Sequence, residues 1–152
     1  MNERIWIYTL SKELTTEQLT DFRNRCQEFV SGWTAHDVSL DASFELHKNR
    51  LLVFKVNESN YNASGCSIDK QTRFVKELEQ LFSVELLNRL LVAYENNNQI
   101  EVVKQSDISN LLSAKVISAN TLVYNNTITQ STDLTGNWKQ PLNQTWLAKY
   151  LN

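Results

Sequence analysis

Apolar and polar positions change their period along the first part of the chain, and each period predicts a different element. Residues 4–10 are aromatic and β-branched, which predicts a first strand. From Leu19 onward, apolar residues recur at spacings of three and four, the period of one helix face. Thr15, with Gln18 three residues later, is typical of a capping box at the start of this helix, which we expect to end near Gly32.

A hairpin is predicted next. Residues 40–47 alternate strictly between apolar and polar side chains, which indicates a half-buried strand. Residues 51–56 form an apolar run of strand length, and Asn49 and Arg50 between the two segments predict a tight connection. We therefore expect an antiparallel pair.

The order of the predicted elements favours a ferredoxin-like fold. After a polar loop, a second amphipathic helix is expected from about residue 68 to residue 82. Residues 90–94 and 100–103 read as two more strands joined by a polar turn. Through residue 95 the order is βαββαβ, the split βαβ arrangement. We predict an α+β fold with both helices on one face of an antiparallel sheet and the last strand extending that sheet.

Residues 105–152 are less regular, but they contain two of the four tryptophans and are too apolar for a disordered appendage. They are expected to form an integral C-terminal α/β extension that packs on a ferredoxin-like core spanning residues 1–104. Residues 1–152 would then form a single domain.

One face of the predicted sheet needs a cover. Trp6 and Tyr8 alternate with Ile5 and Ile7, so we expect the aromatic pair on the face that the helices leave free. That face would be covered by Trp138 and Trp146 of the extension, or by a second subunit in a homodimer.

Composition narrows the function classes. A net charge of −2 and an isoelectric point near 5.7 argue against a nucleic-acid binder. The strand at residues 50–56 also lacks the glycine and the open aromatics of an RNA-stacking platform. No apolar run approaches the ~20 residues of a membrane span. Strand-like residues directly after Met1 predict that no signal peptide is present and that the protein is cytoplasmic.

The two cysteines do not form a disulfide framework of the small secreted kind, and we expect both thiols to be reduced. Cys26 belongs to the apolar stripe of the first helix and is predicted to pack in the core. His36 and His47 are the only histidines, and no third ligand stands at zinc spacing, so neither metal nor cofactor is predicted.

The candidate site is the start of the second helix, where Gly65 places Cys66 at or beside unpaired N–H groups and the positive dipole end. In a functional interpretation, Cys66 is a nucleophile or redox thiol with His36 as its base. In a structural interpretation, Cys66 only fills a small apolar hole and Ser67 caps the helix.

The same helix start predicts a small anion pocket. The free N–H groups of Gly65, Cys66 and Ser67 could bind phosphate, sulfate or carboxylate, with Ser64 at the same site. Arg73 could add a positive charge, and Asp69 and Arg73 could orient the ligand or each other. The competing outcome is an internal cap by Ser67 or Asp69. Our leading hypothesis is a non-catalytic binding module for a small anion or a protein partner, and the alternative is a thiol-dependent enzyme or redox sensor that uses Cys66.

Four pieces of the chain carry a resemblance: Arg-Ile-Trp-Ile-Tyr at residues 4–8, Trp-Thr-Ala-His at 33–36, Ser-Gly-Cys-Ser-Ile-Asp at 64–69, and a tail with Val-Tyr-Asn-Asn at 123–126 and Trp138. Together they resemble a family of small bacterial proteins often labelled "ABC transporter ATPase", over nearly the whole chain. An ABC ATPase requires a Walker A loop, and none of the three glycines begins the pattern Gly-x4-Gly-Lys-Ser/Thr. We therefore predict that the chain is not an ATPase, and the resemblance supplies no catalytic residues.

Overall fold

The computed structural model describes residues 2–152, which contain nine β-strands and four α-helices. The strands are β1 (Glu3–Thr9), β2 (Thr34–Ala35), β3 (Val38–Ser39), β4 (Ala42–His47), β5 (Leu51–Asn57), β6 (Leu91–Asn96), β7 (Gln99–Lys104), β8 (Leu122–Tyr124) and β9 (Lys139–Pro141). The α-helices are α1 (Thr16–Gly32), α2 (Gly65–Phe82), α3 (Ile108–Ser113) and α4 (Asp133–Gly136). Short 3-10 helices occupy Gln105–Asp107, Leu142–Gln144 and Trp146–Tyr150.

The first helix follows its sequence signals. The Gln18 N–H donates to Thr15 Oγ1 at 3.1 Å, and the Thr15 N–H donates to Gln18 Oε1 at 3.0 Å. This reciprocal pair satisfies two donors that the helix itself leaves free, so the predicted capping box is confirmed. Cys26 is fully buried in the core, also as predicted.

The hairpin of β4 and β5 is confirmed, with a different turn from the predicted one. Arg50 N–H donates to the His47 carbonyl at 3.0 Å, so the central residues are Lys48 and Asn49. Both have positive φ angles, 49° and 63°. Such a pair matches the twist of the two strands and leaves Arg50 at the start of β5.

The ferredoxin-like topology is not confirmed. The first sheet has the order β1-β5-β4, but β6 lies in a second sheet of order β7-β6-β8-β9 instead of pairing with β1. The outer edge of β1 is bonded instead by the extension, where Ile5 N–H donates to the Thr129 carbonyl at 2.9 Å. The physical reason lies in β6 itself, whose residues are apolar on both faces and need a layer on each side.

The second sheet takes strands from both sides of the predicted boundary at residues 104 and 105, because β8 and β9 belong to the extension. The two sheets lie face to face over a shared cluster of Ile5, Leu51, Val53, Ala93, Ile100, Tyr124 and Trp138. Helices α1 and α2 cover the other face of the first sheet. Helix α3 and the C-terminal 3-10 helices cover the other face of the second sheet. The result is four layers in the order helix, sheet, sheet, helix.

The faces of β1 are the reverse of the prediction. Trp6 and Tyr8 pack on the side of α1 and α2, whereas Ile5 and Ile7 face the second sheet. Alternation assigns the two sets to opposite faces but does not indicate which set meets the helices. The second sheet covers the face that was expected to be free, and Trp138 is part of that cover.

Arg50 connects the two sheets near the hairpin turn. Its residue is only 6% exposed, and its guanidinium donates to the carbonyls of Leu10 at 3.1 Å and Ile100 at 3.4 Å. Leu10 follows β1 and Ile100 lies in β7, so one side chain links the end of the first sheet to the second. The two hydrogen bonds that the guanidinium donates offset part of the free-energy cost of burying its charge.

Candidate functional site

The start of α2 is capped from within. The helix begins at Gly65, three residues before the predicted start, and its cap is Ser64 instead of Ser67. Ser67 N–H donates to Ser64 Oγ at 3.2 Å, and Ser64 N–H donates to Ser67 Oγ at 2.7 Å. The Ser67 hydroxyl also donates to the Ser64 carbonyl at 2.8 Å. The N–H groups of Ser64 and Ser67, two of the residues predicted to bind an anion, are therefore taken by this internal cap.

The charges around this helix start disfavour an anion. Ala63 N–H donates to a carboxylate oxygen of Glu58 at 2.8 Å, which places a negative charge beside the first turn. Asp69 adds a second acidic side chain and is exposed. Arg73, which was expected to contribute positive charge, is exposed and forms no ion pair among residues 2–152.

The structure places His36 near Ser64 and does not link it to Cys66. His36 lies in the tight turn between β2 and β3 with a φ of 50°. It lines an open surface cavity of about 440 Å³ together with Glu58 and Ser64. Cys66 is exposed but does not line this cavity, and no hydrogen bond joins it to His36 within residues 2–152. The structure therefore gives no contact between the predicted thiol and the predicted base within residues 2–152.

The two thiols differ in a way that alkylation can measure. Cys66 is exposed, whereas Cys26 is buried, and burial raises the pKa of Cys26 to about 12. We expect a maleimide to label Cys66 in the folded protein and Cys26 only in denaturant. Mass spectrometry of Cys66→Ser and Cys26→Ser would assign each adduct. If native Cys26 were labelled as fast as Cys66, the core assignment of Cys26 would be wrong.

A second cavity lies along the outer edge of β1, and we call it the β1 slot. It measures about 370 Å³ and is bounded by residues 5–9, by residues 126–129 and by the loop at residues 86–89, with Trp146 and Tyr124 completing its wall. Five consecutive residues of β1 line the slot, which means that the strand meets it edge-on. An edge offers backbone N–H and C=O groups in addition to side chains.

The edge of β1 has unpaired backbone groups in the slot. Leu10 N–H donates to Arg50 on the β5 side, whereas Ile5 N–H donates to Thr129 on the opposite side. Because hydrogen-bonding directions alternate along an antiparallel strand, Ile7 also directs its N–H and C=O away from β5. Among residues 2–152, no backbone group bonds Ile7 across this edge. The slot therefore holds one donor and one acceptor at its middle.

Both ends of the slot are fixed by hydrogen bonds. At one end, Ile5 N–H donates to the Thr129 carbonyl. At the other end, the amide of Asn126 donates to Thr9 Oγ1 at 2.9 Å and accepts from Trp138 Nε1 at 2.9 Å. Because its side-chain amide is hydrogen-bonded on both sides, Asn126 has a defined orientation. The slot between the Ile5–Thr129 bond and the Asn126–Thr9 bond is therefore a fixed part of the folded structure.

The walls of the slot are mostly apolar, with one charged side chain. Ile5 is buried, Ile7 is half-buried, and Trp146 is 44% exposed at the wall. Burial raises the pKa of Tyr8 to about 12, and the nearby positive charge of Arg89 partly opposes that rise. Arg89 is the charged residue among those that line the slot.

A group of charged and aromatic side chains lies between the two sheets and shares Tyr124 with the wall of the slot. Glu95 Oε1 accepts from Lys48 Nζ and Lys139 Nζ, each at 3.1 Å, and from the Tyr124 hydroxyl at 3.4 Å. His47 Nε2 lies 3.3 Å from the same hydroxyl. The group joins the β4–β5 turn to β6, β8 and β9, so its main role is to hold the sheets together.

The pKa values in this group follow from burial and charge. Burial raises the pKa of Glu95, but hydrogen bonds from Lys48 and Lys139 outweigh it and hold that pKa below its usual value. Burial lowers the pKa of His47, with Glu45 opposing the change. At neutral pH the carboxylate is charged and balances two lysines. Neither group lines the β1 slot.

Sequence patterns did not indicate the slot. Thr9 and Asn126, which close one end, are 117 residues apart. Asn126 belongs to a segment noted for its family resemblance, yet nothing local marks its amide as a link between Thr9 and Trp138. Arg89 stands in the connection between α2 and β6, residues 83–90, where no sequence motif marks it.

Two kinds of feature are not found in residues 2–152. No helix there combines the length and apolarity that crossing a bilayer would require. No three side chains of His, Cys, Asp or Glu in that range are grouped so that they could hold a metal ion.

No family model matches the chain, and neither a curated protein nor a solved structure matches it. The resemblance to proteins labelled as ABC transporter ATPases stays a prediction.

Proposed function

We propose that this chain is a non-catalytic binding module and that the β1 slot is the place where its ligand binds. The unpaired N–H and C=O of Ile7 carry the proposal, because they lie in a mostly apolar slot that is fixed at both ends. Small-molecule sites generally combine apolar walls with a few placed polar groups, in volumes of about 300–1,000 Å³. The slot, at about 370 Å³, has that size and that composition.

The proposal favours a small molecule over an added peptide strand. A strand paired to β1 would have to lie about 4.8 Å from it along the whole edge. The bonds from Ile5 to Thr129 and from Asn126 to Thr9 close that edge at both ends. A compact ligand can enter between them and bond Ile7 without breaking either link.

A neutral probe tests the slot. N-phenylacetamide supplies an apolar ring and one amide, which matches the donor and acceptor of Ile7. In a ¹⁵N-edited titration of the full chain, we expect shifts at the Ile7 and Thr9 amides and at the Trp146 indole N–H. We expect none at Gly65 or Ser67.

A variant that fills the slot provides the control. Thr127 is exposed and lines the slot, so Thr127→Trp should abolish the shifts. Thr132 is also exposed but lies outside the slot, so Thr132→Trp should leave them unchanged. If the probe left Ile7 and Thr9 unshifted in the wild type, the proposed function would be wrong.

The alternative function, thiol chemistry at Cys66, has one observation in its favour, which is the exposure of this thiol near the start of α2. A helix start favours the thiolate. A rate of alkylation that follows a pKa well below the ~8.5 of a free thiol would support it. A rate that follows an ordinary thiol pKa would leave the binding module as the better hypothesis.

A further inference from the structure

The β1 slot contains one charged side chain among the residues that line it, and that residue is Arg89. It lies in the loop that passes from the end of α2 to β6. Among residues 2–152, its guanidinium forms neither an ion pair nor a hydrogen bond. An arginine beside a cavity with all its donors unused can bind a carboxylate or a similar anion.

The carboxylates closest in the chain do not neutralise it. Glu79 lies near this loop, but one of its oxygens already accepts from the N–H groups of Leu86 and Leu87, at 2.8 and 3.1 Å. Glu85 bonds Ser11 through its backbone, and within residues 2–152 its carboxylate forms no ion pair with Arg89. The positive charge of Arg89 therefore remains available at the slot.

The second observation concerns where that charge lies. Arg89 lines the same cavity as Ile7, whose N–H and C=O have no backbone partner across this edge of β1. Trp146 adds a flat apolar surface to the same cavity and is 44% exposed. One small cavity thus offers an apolar surface, a backbone donor and acceptor, and a cation.

We infer that the ligand of the β1 slot is an amphipathic carboxylate, whose anionic group pairs with Arg89 while its apolar body lies against Trp146 and Ile7. This inference rests on the proposed function, because it specifies the chemistry of a ligand in the same cavity. The chemical class is a small organic acid with an apolar or aromatic body.

Two probes with the same body isolate the contribution of the charge. We would titrate the full chain with 4-phenylbutyrate and with 4-phenylbutan-1-ol, following the Ile7 and Thr9 amides and the Trp146 indole N–H. The carboxylate is expected to bind about fivefold more tightly than the alcohol, which is the size expected of a partly exposed ion pair. Added salt should reduce the difference.

Arginine variants assign that preference to a residue. Arg89→Gln should remove the fivefold preference for the carboxylate without weakening binding of the alcohol. Arg89→Lys should keep part of that preference. Arg73→Gln is the matched control, because Arg73 is also exposed and unpaired but lies on α2 outside the slot. It should leave both affinities unchanged.

The outcomes separate the two proposals. If neither probe shifts Ile7 or Thr9, the slot is not a binding site and the proposed function is wrong. If both probes bind there with equal affinity, the proposed function stands and the inference about the carboxylate is overturned. The inference is also overturned if Arg73→Gln, and not Arg89→Gln, removes the preference.

Discussion

Phe54→Ala is expected to lower the free energy of unfolding by about 3–5 kcal/mol, the usual cost of removing a buried aromatic ring. Phe54 is fully buried in β5, and its ring lies 5.6–6.2 Å from those of Tyr8, Phe29, Trp33 and Phe74. These neighbours come from β1, α1 and α2 and from the residue that caps α1. The cavity left by the substitution would open between three elements that cannot all close on it.

Urea unfolding followed by tryptophan fluorescence would measure this loss. Phe44→Ala is the matched control, because Phe44 pairs with Phe54 in the register of β4 and β5 but is only partly buried. Phe44→Ala should lower the free energy of unfolding clearly less than Phe54→Ala does. Equal losses for the two variants would contradict the placement of Phe54 at the centre of the helical side of the core.

Trp138→Ala is the second variant with a large expected effect, again about 3–5 kcal/mol of unfolding free energy. Trp138 is 6% exposed, and its ring contacts Tyr124 and His47, at centroid distances of 5.1 and 4.7 Å. Its indole N–H also holds Asn126, which bonds Thr9 at one end of the slot. The variant should therefore lose stability and probe binding together.

Two further variants separate packing from the hydrogen bond. Trp138→Phe keeps a ring and removes the hydrogen-bond donor to Asn126. It should therefore lower the free energy of unfolding by about 1 kcal/mol and still weaken binding of the probe. Trp146→Ala removes a half-exposed ring from the wall of the slot. It should therefore weaken binding of the probe with little change in the midpoint of urea unfolding. A Trp138→Ala protein that is as stable as the wild type would show that the extension does not support the first sheet.

The sequence predicted correctly those features that depend on residues close together in the chain. The capping box of Thr15 and Gln18 and the burial of Cys26 follow from neighbours within a few turns of one helix. The hairpin of β4 and β5 likewise depends on alternation and a short turn, although the turn residues shifted to Lys48 and Asn49. At α2, the sequence placed the start three residues late, because Ser64 and Ser67 are both good caps.

Sheet membership could not be predicted in this way. The residues of β6 are apolar on both faces, which predicts a buried strand but does not indicate which elements form the layers on its two sides. One of those layers, the first sheet, is bonded at one end of β1 by Thr129, a contact across more than a hundred residues that no local pattern indicates. The alternation of Trp6 and Ile7 defined two faces without showing which one met the helices.

The candidate site shows the same division between local and distant causes. The pattern at Ser64, Gly65 and Ser67 correctly marked a helix start, which is a local property. The slot exists because β1, the loop at residues 86–89 and residues 126–129 converge, and no one of them contains a motif. A cavity assembled from ordinary residues of distant segments cannot be recognised from the sequence.

The pairing of β1 with residues 129–131 has a consequence for synthesis of the protein. Strand β1 is synthesised more than a hundred residues before the segment that bonds its outer edge, so that edge is unprotected in the interval. During that interval its exposed N–H and C=O groups could pair with the same strand of another copy, which is the hazard of any unprotected edge. Chains that stop before residue 129 would keep that edge open permanently, so truncated products should self-associate more readily than the full-length protein.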